Sequence, residues 1–132
     1  YVMIAINKKV EAFEFASDEL KNDIDVVTAA VAKHGCALKF ASDNLKDNKG
    51  IVMIALKTYG FGLFYASDRL QNDLEVVLAA ATKAGEALRF ASIELRNNKE
   101  IVLVAVTQNS LALKFASTEL QKDPEVIAAS KL

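Results

Sequence analysis

An exact 25-residue recurrence constrains what this chain can fold into more than any other feature. Phe15-Ala16-Ser17 returns as Phe40-Ala41-Ser42, Tyr65-Ala66-Ser67, Phe90-Ala91-Ser92 and Phe115-Ala116-Ser117, with no insertion or deletion between copies. Three residues after each Ser stands Leu20, Leu45, Leu70, Leu95 or Leu120, and ten residues after it Val27, Val52, Val77, Val102 or Ile127. Such self-similarity marks units that bury their apolar faces only against their neighbours. The predicted fold is an all-α solenoid of tandem 25-residue αα-hairpin repeats, about five units in one array over residues 1–132. It divides into a partial unit 1–22, units 23–47, 48–72, 73–97 and 98–122, and a partial unit 123–132.

The unit 73–97 shows the local physics. Asp73 has the chemistry of an N-cap, Glu75 sits where the helix dipole favours an anion, and Val76 to Ala81 form an apolar block, so the pattern predicts a first helix from about Leu74 to Ala84. Lys83 suits the last turn, and Gly85 is expected to supply the left-handed residue that commonly ends a helix. The second arm places Ala87, Leu88, Phe90, Ala91 and Leu95 on one face and Glu86, Arg89, Ile93 and Arg96 on the other, the spacing of a single amphipathic helix. Caps recur at Asp23, Asn48, Asn98 and Asp123, and Pro124 occupies a first helical position. Gly35 and Gly60 repeat the stop, while Val10 and Ser110 replace it. A 50-residue period overlies the first. Ile4, Ile54 and Val104 alternate with Ala29, Ala79 and Ala129, and Lys49 and Lys99 alternate with Ile24 and Leu74, so neighbouring units are expected to interlock large against small.

Val2 and Ala5 match Val27 and Ala30, so the chain opens inside a first helix, and it closes inside another at Leu132. A solenoid ordinarily finishes with a polar capping unit. Its absence here leads to the expectation of a segment of a longer array, or of end-to-end self-association.

Composition narrows the classes of partner. With 52% hydrophobic residues, one Pro and five Gly the chain has the means to build a packed core. Sixteen basic and 17 acidic residues leave a net charge of −1, so no global field draws in nucleic acid or an anionic membrane. The single Cys36 has no internal disulfide partner, which fits a reducing, intracellular setting. No apolar run approaches the roughly 18 residues of a spanning helix, and the start lacks the basic region of a signal peptide, so a soluble chain with no membrane span is expected.

The pattern D-x-E-V-V-x-A-A-x-x-K-x-G-x-A-L-x-F-A-S-x-x-L, read from Asp23 to Leu45 with Asp25 in place of Glu, resembles the tandem helical repeats of domain of unknown function 4116. The resemblance covers essentially the whole chain. It implies modules of large multi-repeat proteins, secreted bacterial effectors among them, and carries over no reaction or catalytic residue. Val10, Ser110 and the aromatic third unit depart from the pattern.

Candidate sites divide into those with a structural explanation and one anomaly. The five repeat serines read as small residues inside the second helix, their hydroxyls bonding a carbonyl one turn back, because no general base accompanies them. His34 is the only His, and with Cys36 it supplies two ligands where tetrahedral zinc needs four; His34 reads instead as a helix C-terminal residue. Asp23, Asp25, Asp73, Glu75, Asp123 and Glu125 read as helix starts, and Gly60-Phe61-Gly62 is too short for a phosphate loop. Lys8, Lys33 and Lys83 could form a basic ladder, but Thr58 and Gln108 interrupt it, and nucleic acid is the runner-up partner only. No catalytic, metal or cofactor residue is assigned.

The anomaly is the third unit. A second-arm stripe that reads Glu11, Glu14, Asp18, Lys21 and then Cys36, Lys39, Asp43, Lys46 becomes Phe61, Phe64, Asp68, Gln71. Tyr59 adds a third aromatic, and Ile93 and Leu111 break the polar stripe in the next two units. Exposed apolar groups on a repeat surface mark interfaces, and aromatics are their usual anchors. Tyr59, Phe61, Phe64, Ile93 and Leu111 are therefore the candidate partner-binding residues of a non-catalytic scaffold for protein–protein interaction or assembly. The alternatives are burial of the aromatics on neighbouring units, a hydrophobic small ligand, a nucleic-acid-binding solenoid, and an accessory domain of a larger enzyme or effector.

Overall fold

A computed structural model describes residues 17–131. The expected opening helix around Val2 and Ala5, with Ile4, Lys8, Val10, Glu11 and Glu14, lies outside the described residues, as does Leu132.

The described residues form ten α-helices: α1 (Asp18–Lys21), α2 (Ile24–Lys33), α3 (Asp43–Lys46), α4 (Lys49–Thr58), α5 (Asp68–Gln71), α6 (Leu74–Lys83), α7 (Ile93–Arg96), α8 (Lys99–Gln108), α9 (Thr118–Gln121) and α10 (Pro124–Ser130). Four 3₁₀ segments, Gly35–Phe40, Gly60–Tyr65, Gly85–Phe90 and Ser110–Phe115, each follow a long helix. No strand interrupts them, and each long helix packs on the next, so the all-α repeat solenoid stands. Its core is a continuous ribbon. Val27, Ala30 and Val31 in α2 correspond to Val52, Ala55 and Leu56 in α4, Val77, Ala80 and Ala81 in α6, and Val102, Ala105 and Val106 in α8, all buried.

The helix starts form where the caps were expected. Asp23, Asn48, Asp73, Asn98 and Asp123 each accept a hydrogen bond from the backbone N–H three residues on, satisfying one of the orphan donors of the first turn. The helix stops differ from expectation in mechanism. The last cap, such as His34, Tyr59 or Ala84, is extended, and none of the described glycines has a positive φ. Gly35 and Gly85 open the 3₁₀ turns, buried beneath the next unit. A Cβ on Gly35 would collide with the Ala55 carbonyl oxygen, and one on Gly85 with that of Ala105. Close approach, rather than backbone freedom, requires glycine there.

The second arm also differs in its interior. In place of one amphipathic helix it runs as a 3₁₀ segment, two extended residues and a single α turn. Ala41 and Ser42 have ψ near 158° and 160°, and the same break recurs at Ala66-Ser67, Ala91-Ser92 and Ala116-Ser117. Each repeat Ser is thus an N-cap and not a residue inside a helix. Its hydroxyl accepts from the N–H of the Leu three residues on, at 3.2–3.3 Å in all five copies.

The extended pair has a further consequence for packing. It turns the Ser N–H sideways, to the preceding unit, where Ser42, Ser67, Ser92 and Ser117 donate to the carbonyls of Lys21, Lys46, Gln71 and Arg96 at 2.9–3.0 Å. Each of these hydroxyls also donates to a side chain twenty residues back: Asn22 at 2.6 Å, Asp47 at 2.5 Å, Asn72 at 2.5 Å and Asn97 at 2.7 Å. Three hydrogen bonds per Ser therefore fix both the start of a short helix and the register of one unit on the next.

Candidate docking surfaces

The five partner-binding candidates fall into two groups. Tyr59 caps α4, Phe61 and Phe64 lie on the 3₁₀ segment that follows, and both Phe rings lean on Phe90 of the next unit, with centroids 6.3 and 5.0 Å away. Tyr59 meets Phe61 at 6.0 Å and Phe64 meets Tyr65 at 5.2 Å, so five rings form one chain, edge-to-face except for the tilted Phe64–Phe90 pair. Such pairs contribute about 0.5–1.5 kcal/mol beyond burial. Phe61 and Tyr59 are half-buried in it, and burial holds the Tyr59 phenol above its ordinary range, helped by the nearby Tyr65 and Cys36. Phe64 remains 56% exposed. Ile93, 83% exposed, and Leu111, 58% exposed, stand on α7 and on a later 3₁₀ segment, outside that ring chain.

Phe64 has a counterpart in the other units. The residue before each repeat aromatic is Lys39, Phe64, Arg89 or Lys114. Lys39 and Lys114 place their ammonium groups over Phe40 and Phe115, while Arg89 lies over both Phe90 and Phe115 of the following unit. Phe64 bridges Tyr65 and Phe90 in the manner in which Arg89 bridges Phe90 and Phe115. A ring and a guanidinium thus perform the same packing task on one aromatic ladder.

The opposite surface went unremarked in the sequence. Along the solvent side of the long helices, Met53 and Ile54, then Leu78 and Ala79, then Leu103 and Val104 lie half-buried across α4, α6 and α8. The large–small alternation of Ile54, Ala79 and Val104 therefore falls on an outer face, where the small member leaves hollows. One hollow of about 460 Å³ lies between α4 and α6, lined by Met53, Leu56, Leu78, Ala79 and Thr82, with Glu75 at one end and Lys57 and Lys83 at the other. The signal that could have found it is the i, i+3/i+4 row Glu75, Leu78, Ala79, Thr82, whose middle is apolar on the side away from the core.

Electrostatics follows the 50-residue period. Lys49 reaches Asp73 at 3.1 Å and Glu75 at 2.7 Å, and Lys99 reaches Asp123 at 3.2 Å and Glu125 at 2.9 Å. Glu75 and Asp73 hold the Lys49 ammonium above its ordinary range, and Glu125 and Asp123 do the same for Lys99. Partial burial raises Asp73, but the Val76 N–H and Lys49 outweigh it and leave its carboxyl lowered; Lys99 lowers Asp123. Asp47, where three other units carry Asn22, Asn72 and Asn97, is lowered by the Ser67 hydroxyl and by Arg69, which it meets at 2.9 Å.

Other contacts between the units are hydrogen bonds that form no ion pair. Gly35 N–H donates to Thr58 Oγ1 at 3.0 Å, Gly85 N–H donates to the Gln108 side-chain oxygen, and Asn109 donates to Glu86 at 3.1 Å. Thr58 and Gln108, which interrupt the lysine series, are therefore stitches between units. His34, Cys36 and Tyr59 line a small hollow beside Gly35 and Thr58, where the His34 Nε2 is buried without a partner. Among the described residues no three His, Cys, Asp or Glu side chains gather as a metal site, and no helix is long and apolar enough to cross a membrane.

Fold and surfaces together define a helical-repeat array with one aromatic edge and one corrugated outer face. The chain belongs to a family described as a domain of unknown function, DUF4116, whose model matches residues 1–46, 48–96 and 73–121. The last two matches overlap over residues 73–96, so each spans a pair of units, and the match over 48–96 covers the two units that the Lys49 ion pairs join. No curated protein and no solved structure matches the chain.

Proposed function

We propose that this array is a non-catalytic scaffold that docks a protein partner or joins units into a larger assembly. The observation that carries the reading is the combination of a register stitched identically at each Ser with large apolar groups left standing in solvent, Phe64, Ile93 and Leu111. A frame that fixes residue positions across several units lowers the ordering cost of binding, and exposed apolar side chains supply the contact. Tyr59 and Phe61 act in this reading as supports for Phe64 through the ring chain.

The test is affinity capture from a lysate of the source organism, followed by reconstitution with each purified partner. The baits are the full chain, a Phe64→Glu, Ile93→Glu, Leu111→Glu variant and an Ala79→Trp variant, each confirmed helical by circular dichroism. A partner that binds the parent chain and is lost with either variant supports the scaffold. Identical recovery by all three baits, or none, overturns it.

A further inference from the structure

Resting on that scaffold reading, we infer that the hollow between α4 and α6 is the docking groove for one amphipathic α-helix, lying antiparallel to both, with acidic residues in its first turn and Lys or Arg in its last. The hollow runs from Glu75 in the first turn of α6 to Lys83 in its last. At 1.5 Å per residue that is about 12 Å, close to the span of three helical anchors at i, i+3 or i+4, and i+7. Met53 is the adaptable member of an otherwise aliphatic lining, a side chain suited to surfaces that accept differing anchors.

Charge sets the polarity. The long helices lie parallel, since Lys49 at the start of α4 reaches Asp73 and Glu75 at the start of α6. Two acids share that one lysine, so a negative charge remains over at the first-turn end. Lys57 and Lys83 stand exposed at the other end. An incoming helix meets both ends favourably when its own acids lie over the lysines and its own bases over Glu75. Acids near a helix N-terminus and bases near its C-terminus are also what its macrodipole favours, so one orientation satisfies partner and groove together. The furrow on the other side of α6, lined by Thr82, Leu103, Val104, Thr107 and Gln108, has apolar depth but no charged residue in its lining. Only the first carries an address. A single groove of this size is below a standard interface, so binding is weak and reversible unless neighbouring surface joins it.

The experiment is selection from a displayed library of helix-forming peptides of about four turns, randomised at anchor and flanking positions, against the full chain, with affinities of enriched peptides read by fluorescence anisotropy. Enrichment of an apolar i, i+3/i+4, i+7 stripe with acids first and bases last is expected. Affinity should fall about tenfold or more on Ala79→Trp and on Thr82→Trp, which fill the hollow, and stay within about twofold on Thr107→Trp, on the far wall of the other furrow. The Lys57→Glu, Lys83→Glu variant should lose the polarity preference. Thr82 is exposed, so its substitution keeps the test intact should Ala79→Trp misfold. Enriched peptides indifferent to both Trp variants, peptides without charge polarity, or no enriched helix would each overturn the groove. Peptides that depend on Phe64 instead would overturn it while leaving the scaffold reading in place. Self-association in sedimentation that Thr82→Trp abolishes would assign the face to a second copy and overturn it as well.

Discussion

The joint between units 48–72 and 73–97 and the joint between units 73–97 and 98–122 share a skeleton and differ in chemistry. Both carry the Ser ladder, with Ser92 on Asn72 in one and Ser117 on Asn97 in the other. The first adds an exposed ionic clamp of Lys49 on Asp73 and Glu75. The second has no such ion pair among the described residues, and in its place the Gly85 N–H donates to Gln108 and Asn109 donates to the Glu86 carboxylate, while the Ala105 carbonyl presses onto Gly85. Register is thus set by the part that repeats every 25 residues, while sensitivity to solution conditions is set by the part that repeats every 50.

The largest effect should come from filling the tight contact. Gly85→Ala is expected to destabilise by about 1–3 kcal/mol in urea unfolding, because backbone must move. Gly60→Ala, at the ionic joint, should cost less: its nearest obstacles, the Ala84 Cβ at 2.8 Å and the Ala80 carbonyl at 3.0 Å, stand further off than the Ala105 carbonyl stands from Gly85. Equal losses at the two glycines would break the distinction.

Next in size are Ser92→Ala and Ser117→Ala. Each removes an N-cap and an inter-unit bond, for about 1 kcal/mol apiece, and the two should match because the ladder is common to both joints.

A smaller and condition-dependent loss is expected for the Lys49→Met, Lys99→Met variant. These pairs are exposed and screened, so its deficit relative to the parent should shrink between low and high salt. Its sign with pH follows from linkage. Asp73 and Asp123 have folded values below the ordinary 3.8, so their contribution is present above that pH and is lost as pH falls through the lowered values. Lys49 and Lys99 have folded values above 10.5, so theirs is present below that pH and is lost as pH rises through the raised values. The difference between parent and variant should be widest near neutrality and close at both extremes, whereas a Gln108→Leu variant, which removes an uncharged bond, should show a salt-independent deficit.

The smallest expected effect is Phe64→Lys, within about 0.5 kcal/mol of the parent, since Lys39 and Lys114 already occupy the same place over their own aromatics. A large loss would mean that the ring chain to Phe90 outweighs the cation ladder, and would sharpen the contrast between the third unit and the others.

Local chemistry was legible wherever a side chain acts on its own backbone. Asp23, Asn48, Asp73, Asn98 and Asp123 cap because their oxygens need only reach three residues along the chain. The repeat Ser carried the same signal, with Asp43, Asp68 or Glu94 in the turn that follows, but the apolar spacing of Ala87, Leu88, Phe90, Ala91 and Leu95 fits a continuous helix as well as a broken one. The candidate residues Phe64, Ile93 and Leu111 are exposed as the polar stripe implied, whereas Phe61 is partly covered by Phe90 of the next unit and Tyr59 meets Phe61.

By itself the sequence determined the period, the all-α class, the family and the helix starts, because these rest on contacts within a turn or on a pattern copied five times. Tertiary structure alone decided why Gly35 and Gly85 are glycine, what the Ser hydroxyl reaches, and which face of the long helices is left hollow. Each depends on how closely one unit sits on the next. That distance is set by the bulk and hydrogen bonds of residues about 20 positions apart, which a period reveals only as a repetition and not as a contact.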